Sequence, residues 1–220
     1  MTLLARLMTL FPSVHLGALL GAITWFVFHP CWPTLALIPT AAYLLPLLAY
    51  HLHQLVWRLE EGTFSIAQGY SPWFGTHMIQ QGLIAVPFLE NVLRLVPGLF
   101  QLWLRAWGAR IGRNVYFAPG FEIADRGMLE VGDNVIFGYG VKVTSHYISP
   151  SRQYGGMKIY IKRVCFEDRA FLGASSRYGP GVVVRANALV RATVDVLPDI
   201  VIEARTPESA PHEPTTDVAQ

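Results

Sequence analysis

The chain has 220 residues, 52% of them hydrophobic and only 15% charged, with a net charge of +2 and two cysteines. Soluble domains carry about 25% charged residues. A chain this apolar is not intrinsically disordered, and two cysteines do not build a disulfide scaffold. The small positive balance, with no basic block and no helix-turn-helix pattern, does not describe a nucleic-acid binder.

The charge deficit is concentrated at the start. From Leu7 to Trp57 there is no Asp, Glu, Lys or Arg. At about 20 apolar residues per span this stretch is too long for one membrane crossing and right for two. Residues 10–28 supply the first and 35–55 the second. Between them, His29-Pro30-Cys31-Trp32-Pro33 reads as a turn, because proline breaks helices and Trp suits a membrane–water boundary. Arg6 and Arg58 flank the pair, which places both ends on the cytoplasmic side by the positive-inside rule. Residues 1–28 have one Arg and no Ala-x-Ala site, so a cleaved signal peptide is disfavoured. Residues 62–89 are again uncharged but interrupted by Gly69, Pro72, Gly75 and Pro87, which predicts an interfacial or re-entrant segment. Residues 92–107 carry Leu99, Trp103 and Trp107 at helical spacing and break at Pro97-Gly98. They predict a helix that lies in the interface or packs on the next domain.

From Ile111 the period changes to six. Ile111, Phe117, Ile123 and Leu129 form one run, Val131, Phe137 and Val143 a second, and Phe166, Leu172, Tyr178, Val184, Val190 and Val196 a third. Small residues often follow, as at Gly112, Ala118, Gly132, Gly138, Gly173 and Gly179. A short fixed period signals a solenoid with one strand and one corner per repeat, the aliphatic residue pointing inward. The chain thus divides into a two-span hairpin (1–60), an interfacial helical segment (61–110), a repeat domain (111–204) and a tail (205–220) expected to be disordered.

The repeat Val-Gly-Asp-Asn-Val-Ile at residues 131–136 resembles the hexapeptide-repeat acyltransferases. Thr144-Ser145-His146 is similar to the family's Ser-His element, after which a loop often leaves the coil. Ala170-Phe171-Leu172-Gly173-Ala174 and Tyr178-Gly179-Pro180-Gly181-Val182 are similar to segments lining its acetyl-CoA tunnel. The resemblance covers roughly residues 111–202 and is closest to enzymes acetylating sugars and cell-surface glycans. It implies a left-handed parallel β-helix of about five turns, a homotrimer with sites between coils, and acetyl-CoA or another acyl-CoA as cosubstrate. The fold class expected is therefore mainly β, with an N-terminal transmembrane hairpin and interfacial helices. Two departures stand out: Arg185 replaces the usual Gly, and the Thr-Lys expected before Asp195-Val196 is absent.

Acyl transfer to a hydroxyl needs a base near neutrality, and the resemblance assigns His146 to that role. Its orienting partner is left open among Asp125, Glu130, Asn134 and a carboxylate of a neighbouring subunit. Backbone amides at Gly173, Ala174 and Ser175 are candidates for the oxyanion or the pantetheine arm, with Arg185 or Arg191 replacing the missing Lys near the CoA phosphates. No metal set is expected. His51 and His53, at i, i+2, do not face each other on a helix. His15 and His77 are weak candidates for touching a lipid-borne acceptor. Neither Cys31 nor Cys165 is expected to be catalytic or bridged. The acceptor expected is a hydroxyl on a membrane-borne glycan or lipid. The alternatives are N-acyl or long-chain transfer, or a non-catalytic trimeric scaffold.

Overall fold

The computed structural model describes residues 2–66 and 69–204; the tail, with His212, lies outside them. Two apolar helical runs come first. α1 (Leu3–Met8) and α2 (Phe11–Phe28) make one; α3 (Trp32–Pro39), a π-helical turn at Thr40–Leu44 and α4 (Leu45–Val56) make the other. Both runs are long and apolar enough to cross a membrane, and only 11% and 22% of their apolar windows is buried. Within the second run, Pro46 has no N–H for the Ala42 carbonyl four residues back. His15 of α2 meets that carbonyl through Nε2 at 3.2 Å and is fully buried. Its polar ring therefore ties the two helices together, which is a structural use.

The segment at 62–89 differs from the broken stretch expected. β1 (Gly62–Ser65) joins a sheet, and α5 (Pro72–Ala85) is an unbroken helix that packs on α1, α2 and α4. Pro72 falls in the first turn, where its missing N–H costs nothing. The α5 glycines are close-approach points rather than breaks. A Cβ on Gly75 would collide with Tyr70 and His53, and one on Gly82 with His15. α6 (Phe88–Leu93) and α7 (Leu99–Ala106) are separated at Pro97-Gly98 as expected, with Gly98 in the left-handed region. Phe100, Trp103, Leu104 and Trp107 are buried against the base of the coil, while Phe88, Leu95 and Leu102 on the other side are exposed.

The remaining strands wind into three parallel sheets that form the faces of a prism. The first face stacks β2 (Arg110–Ile111), β5 (Leu129–Val131), β10 (Val164–Phe166), β13 (Val183–Val184) and β16 (Val201–Ile202). The second stacks β3 (Tyr116–Phe117), β6 (Ile136–Phe137), β11 (Phe171–Leu172) and β14 (Leu189–Val190). The third stacks β4 (Glu122–Ile123), β7 (Lys142–Val143), β12 (Arg177–Tyr178) and β15 (Asp195–Val196). The chain thus completes four turns and begins a fifth. Every leading residue of the six-residue period is buried in the prism, from Ile111 to Val196. Register brings Phe117 onto Phe137, stacked at 4.9 Å, and across the interior Phe137 of the second face meets Phe166 of the first edge-on at 5.0 Å. Successive turns lie so close at one corner that a Cβ on Gly173 would stand 2.3 Å from the Ala192 amide. Asn114, Asn134 and Asn187 take the left-handed conformation at the first-to-second corner, which Asn tolerates better than most residues.

The period slips twice, both times at the third-to-first corner. Between Ile123 and Val131 two extra residues form a 3-10 turn at Arg126–Met128. One turn higher, between Val143 and Phe166, the chain leaves the coil as a hairpin, β8 (His146–Ser151) and β9 (Gly156–Ile161). β1 pairs antiparallel with β9, so the excursion is a three-stranded sheet tied to the segment after α4.

Candidate active site

Both irregular corners face α5, and the candidate site forms where they meet. Asp125 enters from the lower corner and is 1% exposed. His146 opens the hairpin one turn above it. Its Nδ1 lies 2.6 Å from Asp125 Oδ2. A carboxylate only accepts, so Nδ1 donates, and in the neutral ring the lone pair is then on Nε2. Asp125 is itself held by two further donors: the Ser145 amide to Oδ2 at 3.2 Å and Trp73 Nε1 to Oδ1 at 3.1 Å. Of the partners left open by sequence, Asp125 is the one beside His146. Glu130 instead pairs with Arg110, and Asn134 accepts from the Asn114 side chain on another corner.

Two aromatic residues of α5 close the site. Trp73 packs on the His146 ring with centroids 4.5 Å apart, and His77 stacks on Trp73 at 4.9 Å. His77 stands edge-on to His146 at 5.8 Å. Burial, the largest influence, pulls the His77 pKa below its ordinary value, against the opposing pull of Asp125. The neutral imidazole is thus favoured beside His146. Sequence reasoning gave His77 little weight; its signal was the i, i+4 pair Trp73–His77, which places two rings on one face of a helix.

The next layer is a buried ion pair. Arg126, 1% exposed, donates through Nε and a terminal nitrogen to the two Glu90 oxygens at 2.7 and 2.8 Å. Gln80 of α5 accepts from the Arg126 amide and guanidinium at 3.1 Å each, and Trp103 Nε1 donates to Glu90 at 2.8 Å. Burial opposes the Glu90 charge, but Arg126 and Trp103 outweigh it and hold its carboxyl below the usual range. This network fastens α5, α6 and α7 to the residue next to Asp125. The apolar hairpin reaches the same corner: a Cβ on Gly127 would stand 2.4 Å from the Tyr50 hydroxyl of α4.

The expected CoA residues divide between two corners. Gly173, Ala174, Ser175 and Arg191 share the second-to-third corner, at the opposite edge of the third face from His146. Gly173 and Ser175 spend their amides on Val190 and Tyr139 carbonyls. Only the Ala174 amide has no partner among the described residues, which narrows the oxyanion expectation to one donor. Arg185 sits on the first-to-second corner, bound to Glu167 at 2.6 Å, and does not join that group. Of the other histidines, His53 Nε2 meets the Tyr70 hydroxyl at 2.6 Å and His51 Nε2 the Ala106 carbonyl at 2.8 Å. Each takes its own partner, as i, i+2 positions require.

No family model matches the chain. Over 108 residues it is 32% identical to a galactoside O-acetyltransferase of Lactococcus lactis, covering 44% of this chain and 51% of that enzyme. The chain thus spans about half the length of the curated relative it matches. Among solved structures, a hexapeptide-repeat acetyltransferase of Vibrio cholerae covers 54% of this chain and 85% of its own, at 17% identity and a TM-score of 0.36. A galactoside acetyltransferase in complex with coenzyme A covers 56% and 78%, at 13% identity and a TM-score of 0.33. The three-faced coil of short parallel strands is the fold that the resemblance to the hexapeptide-repeat acyltransferases implies.

Proposed function

We propose that this protein is a membrane-anchored acyltransferase that moves an acetyl or other acyl group from acyl-CoA to a hydroxyl of a membrane-borne glycan or lipid. The observation that carries this reading is the 2.6 Å contact between His146 Nδ1 and buried Asp125, which leaves Nε2 as a free base. Nε2 takes the proton of the acceptor hydroxyl as its oxygen attacks the thioester carbon. Asp125 stabilises the imidazolium that results. The tetrahedral oxyanion collapses, the C–S bond breaks, and the proton passes from His146 to the departing CoA thiolate. The Ala174 amide, with Arg191 nearby on the same corner, is the donor-side candidate.

In this reading residues 1–60 are a two-span anchor in the cytoplasmic membrane, 61–110 a docking segment, 111–204 the catalytic coil on the cytoplasmic side and 205–220 a tail. The coil is left-handed, as in the family. A homotrimer brings the second-to-third corner of one coil to His146 of the next. The second face supports this. Its outward ladder of Tyr116, Ile136, Phe171 and Leu189 runs in register and is between 41% and 58% exposed. The membrane-borne acceptor is supported by position: α4 of the apolar hairpin touches the corner that carries Asp125 and His146.

The test is CoA release from acetyl-CoA by detergent-purified protein given a crude membrane-lipid extract. Extract-dependent release that drops about 10²-fold or more in His146→Ala is expected of a lost general base. Equal release in both proteins removes His146 from the mechanism. Failure of the wild type to bind any acyl-CoA removes the enzyme.

A further inference from the structure

A cavity of about 410 Å³ lies between α5, α6 and the third face of the coil. Its walls are apolar: Leu83, Ile84, Pro87, Phe121, Ile123 and Val143. Its charged lining is unbalanced, with Arg94, Arg126, Lys142 and Arg177 against Glu90 and Glu122. Three of these cations are already paired: Arg126 with Glu90, Lys142 with Glu122 at 2.9 Å, and Arg177 with Asp195 at 2.6 Å. Arg94 has no carboxylate within ion-pair distance among the described residues. Its terminal nitrogens donate to the Phe121 carbonyl at 2.7 Å and to Asn91 at 3.2 Å, and its Nε is buried without a partner. It lies over the Phe100 ring at 4.4 Å and feels the Glu90 charge one helical turn away, but that carboxylate is spent on Arg126. A half-buried guanidinium with no carboxylate of its own in direct contact, on an apolar cavity, is a receptor for an anion that brings hydrocarbon with it.

The surroundings say how such a molecule would arrive. Phe88, Leu95 and Val96 flank Arg94 on the outer side of α6 and beyond, at 70%, 79% and 54% exposure. That is a surface suited to the bilayer interface. The cavity also borders residues adjacent to the candidate site. Ala124 and Arg126 bracket Asp125, and Thr144 bonds the His146 carbonyl through its hydroxyl. Along α5, Ile84 lies seven residues beyond His77, roughly 10 Å at the helical rise.

We infer that this cavity binds the phosphate-bearing, apolar-tailed end of the acceptor, with Arg94 as the counter-ion of its phosphate. The inference rests on the acyltransferase reading for the word acceptor, but the binding site itself does not. It assigns the acceptor to phosphate-bearing amphiphiles.

The experiment is titration calorimetry on the full chain in non-ionic detergent, with no acyl-CoA present. The probes are octyl phosphate below its micelle concentration, inorganic phosphate and coenzyme A. The proteins are wild type, Arg94→Gln, Arg94→Lys and Ile84→Trp, the last filling the cavity. The expected result is that wild type binds octyl phosphate more tightly than inorganic phosphate. Arg94→Gln then weakens octyl phosphate by about tenfold or more, as loss of a charged hydrogen-bond donor implies, and Arg94→Lys restores part of it. Ile84→Trp abolishes it, and coenzyme A affinity is unchanged throughout. Equal binding of octyl phosphate by wild type and Arg94→Gln overturns the inference, as does no binding by wild type. Loss of coenzyme A affinity in Arg94→Gln also overturns it, because the cation would then serve the donor. If no protein binds coenzyme A while the octyl phosphate pattern holds, the acyltransferase reading falls and the cavity stands.

Discussion

Asp125→Asn separates the orienting role of the carboxylate from its bulk. The carboxylate accepts from three donors: His146 Nδ1 at 2.6 Å, the Ser145 amide at 3.2 Å and Trp73 Nε1 at 3.1 Å. An Asn has the same shape but one acceptor oxygen and one NH₂. If the oxygen faces His146 and Ser145, the NH₂ opposes the Trp73 N–H and a buried donor is left unsatisfied. If the NH₂ faces His146, the imidazole must present its lone pair at Nδ1, which moves the proton to Nε2 and removes the base. Either way the imidazolium loses its counter-charge. The analogous loss in a Ser-His-Asp triad costs about 10⁴-fold, and general-base catalysis contributes 10²–10⁴-fold. At 1.36 kcal/mol per factor of ten, this is about 3–5 kcal/mol of barrier. Folding should lose less, about 1–3 kcal/mol for the mismatched hydrogen bond. The assay is CoA release per mole of folded protein, with thermal unfolding in detergent run in parallel. An Asn variant that folds and turns over within about threefold of wild type, far short of that range, would refute the assignment of Asp125 and the tautomer argued from it.

Further outcomes follow from the packing around the site. Glu90→Gln leaves the Arg126 guanidinium buried with its counter-charge gone and one of its two acceptor oxygens replaced by a donor, and should cost about 3–5 kcal/mol in denaturant or thermal unfolding. Because the Glu90 carboxyl titrates below its ordinary 4.5, its stabilisation is present above that value and is lost as pH falls through the lowered folded pKa. The variant should lack that acid loss. His77 has the same proton balance at a higher pH: its folded pKa lies below 6.5, so the unfolded chain again binds the extra proton. Stability should therefore fall as pH drops from 6.5 toward the lowered value, and His77→Phe should flatten that fall; parallel melting curves at pH 7.5 and 5.5 that show no difference between the two proteins would remove the effect. Gly173→Ala forces a methyl against the Ala192 amide and should destabilise by about 1–3 kcal/mol. Gly17→Ala, with nothing within 4 Å of the added Cβ, should not destabilise, which gives the control for the same chemical change.

The amino-acid sequence by itself determined the two apolar helices and the coil. A run without charge from Leu7 to Trp57 has few structural solutions, and a six-residue aliphatic period has fewer. It also marked His146, through its Ser-His context at the point where the period fails. It did not reveal α5, because Pro72 and Gly75 count as helix breakers in isolation. In the fold Pro72 starts the helix, and Gly75 is where Tyr70 and His53 press against it. That use of glycine depends on neighbours distant in sequence.

Which of Asp125, Glu130 and Asn134 lies beside His146 was likewise decided by tertiary structure. All three lie about one turn before His146, and spacing alone does not separate them. A two-residue insertion puts Asp125 on the corner beneath His146, whereas Glu130 faces outward toward Arg110 and Asn134 turns the next corner. The same holds for His77, Trp73 and the Glu90–Arg126 pair. Each belongs to a segment that packs on the coil through side chains, and side-chain packing between segments leaves no period in the sequence. Repetition along the chain is written in the sequence; the meeting of non-repeating parts is decided by the fold.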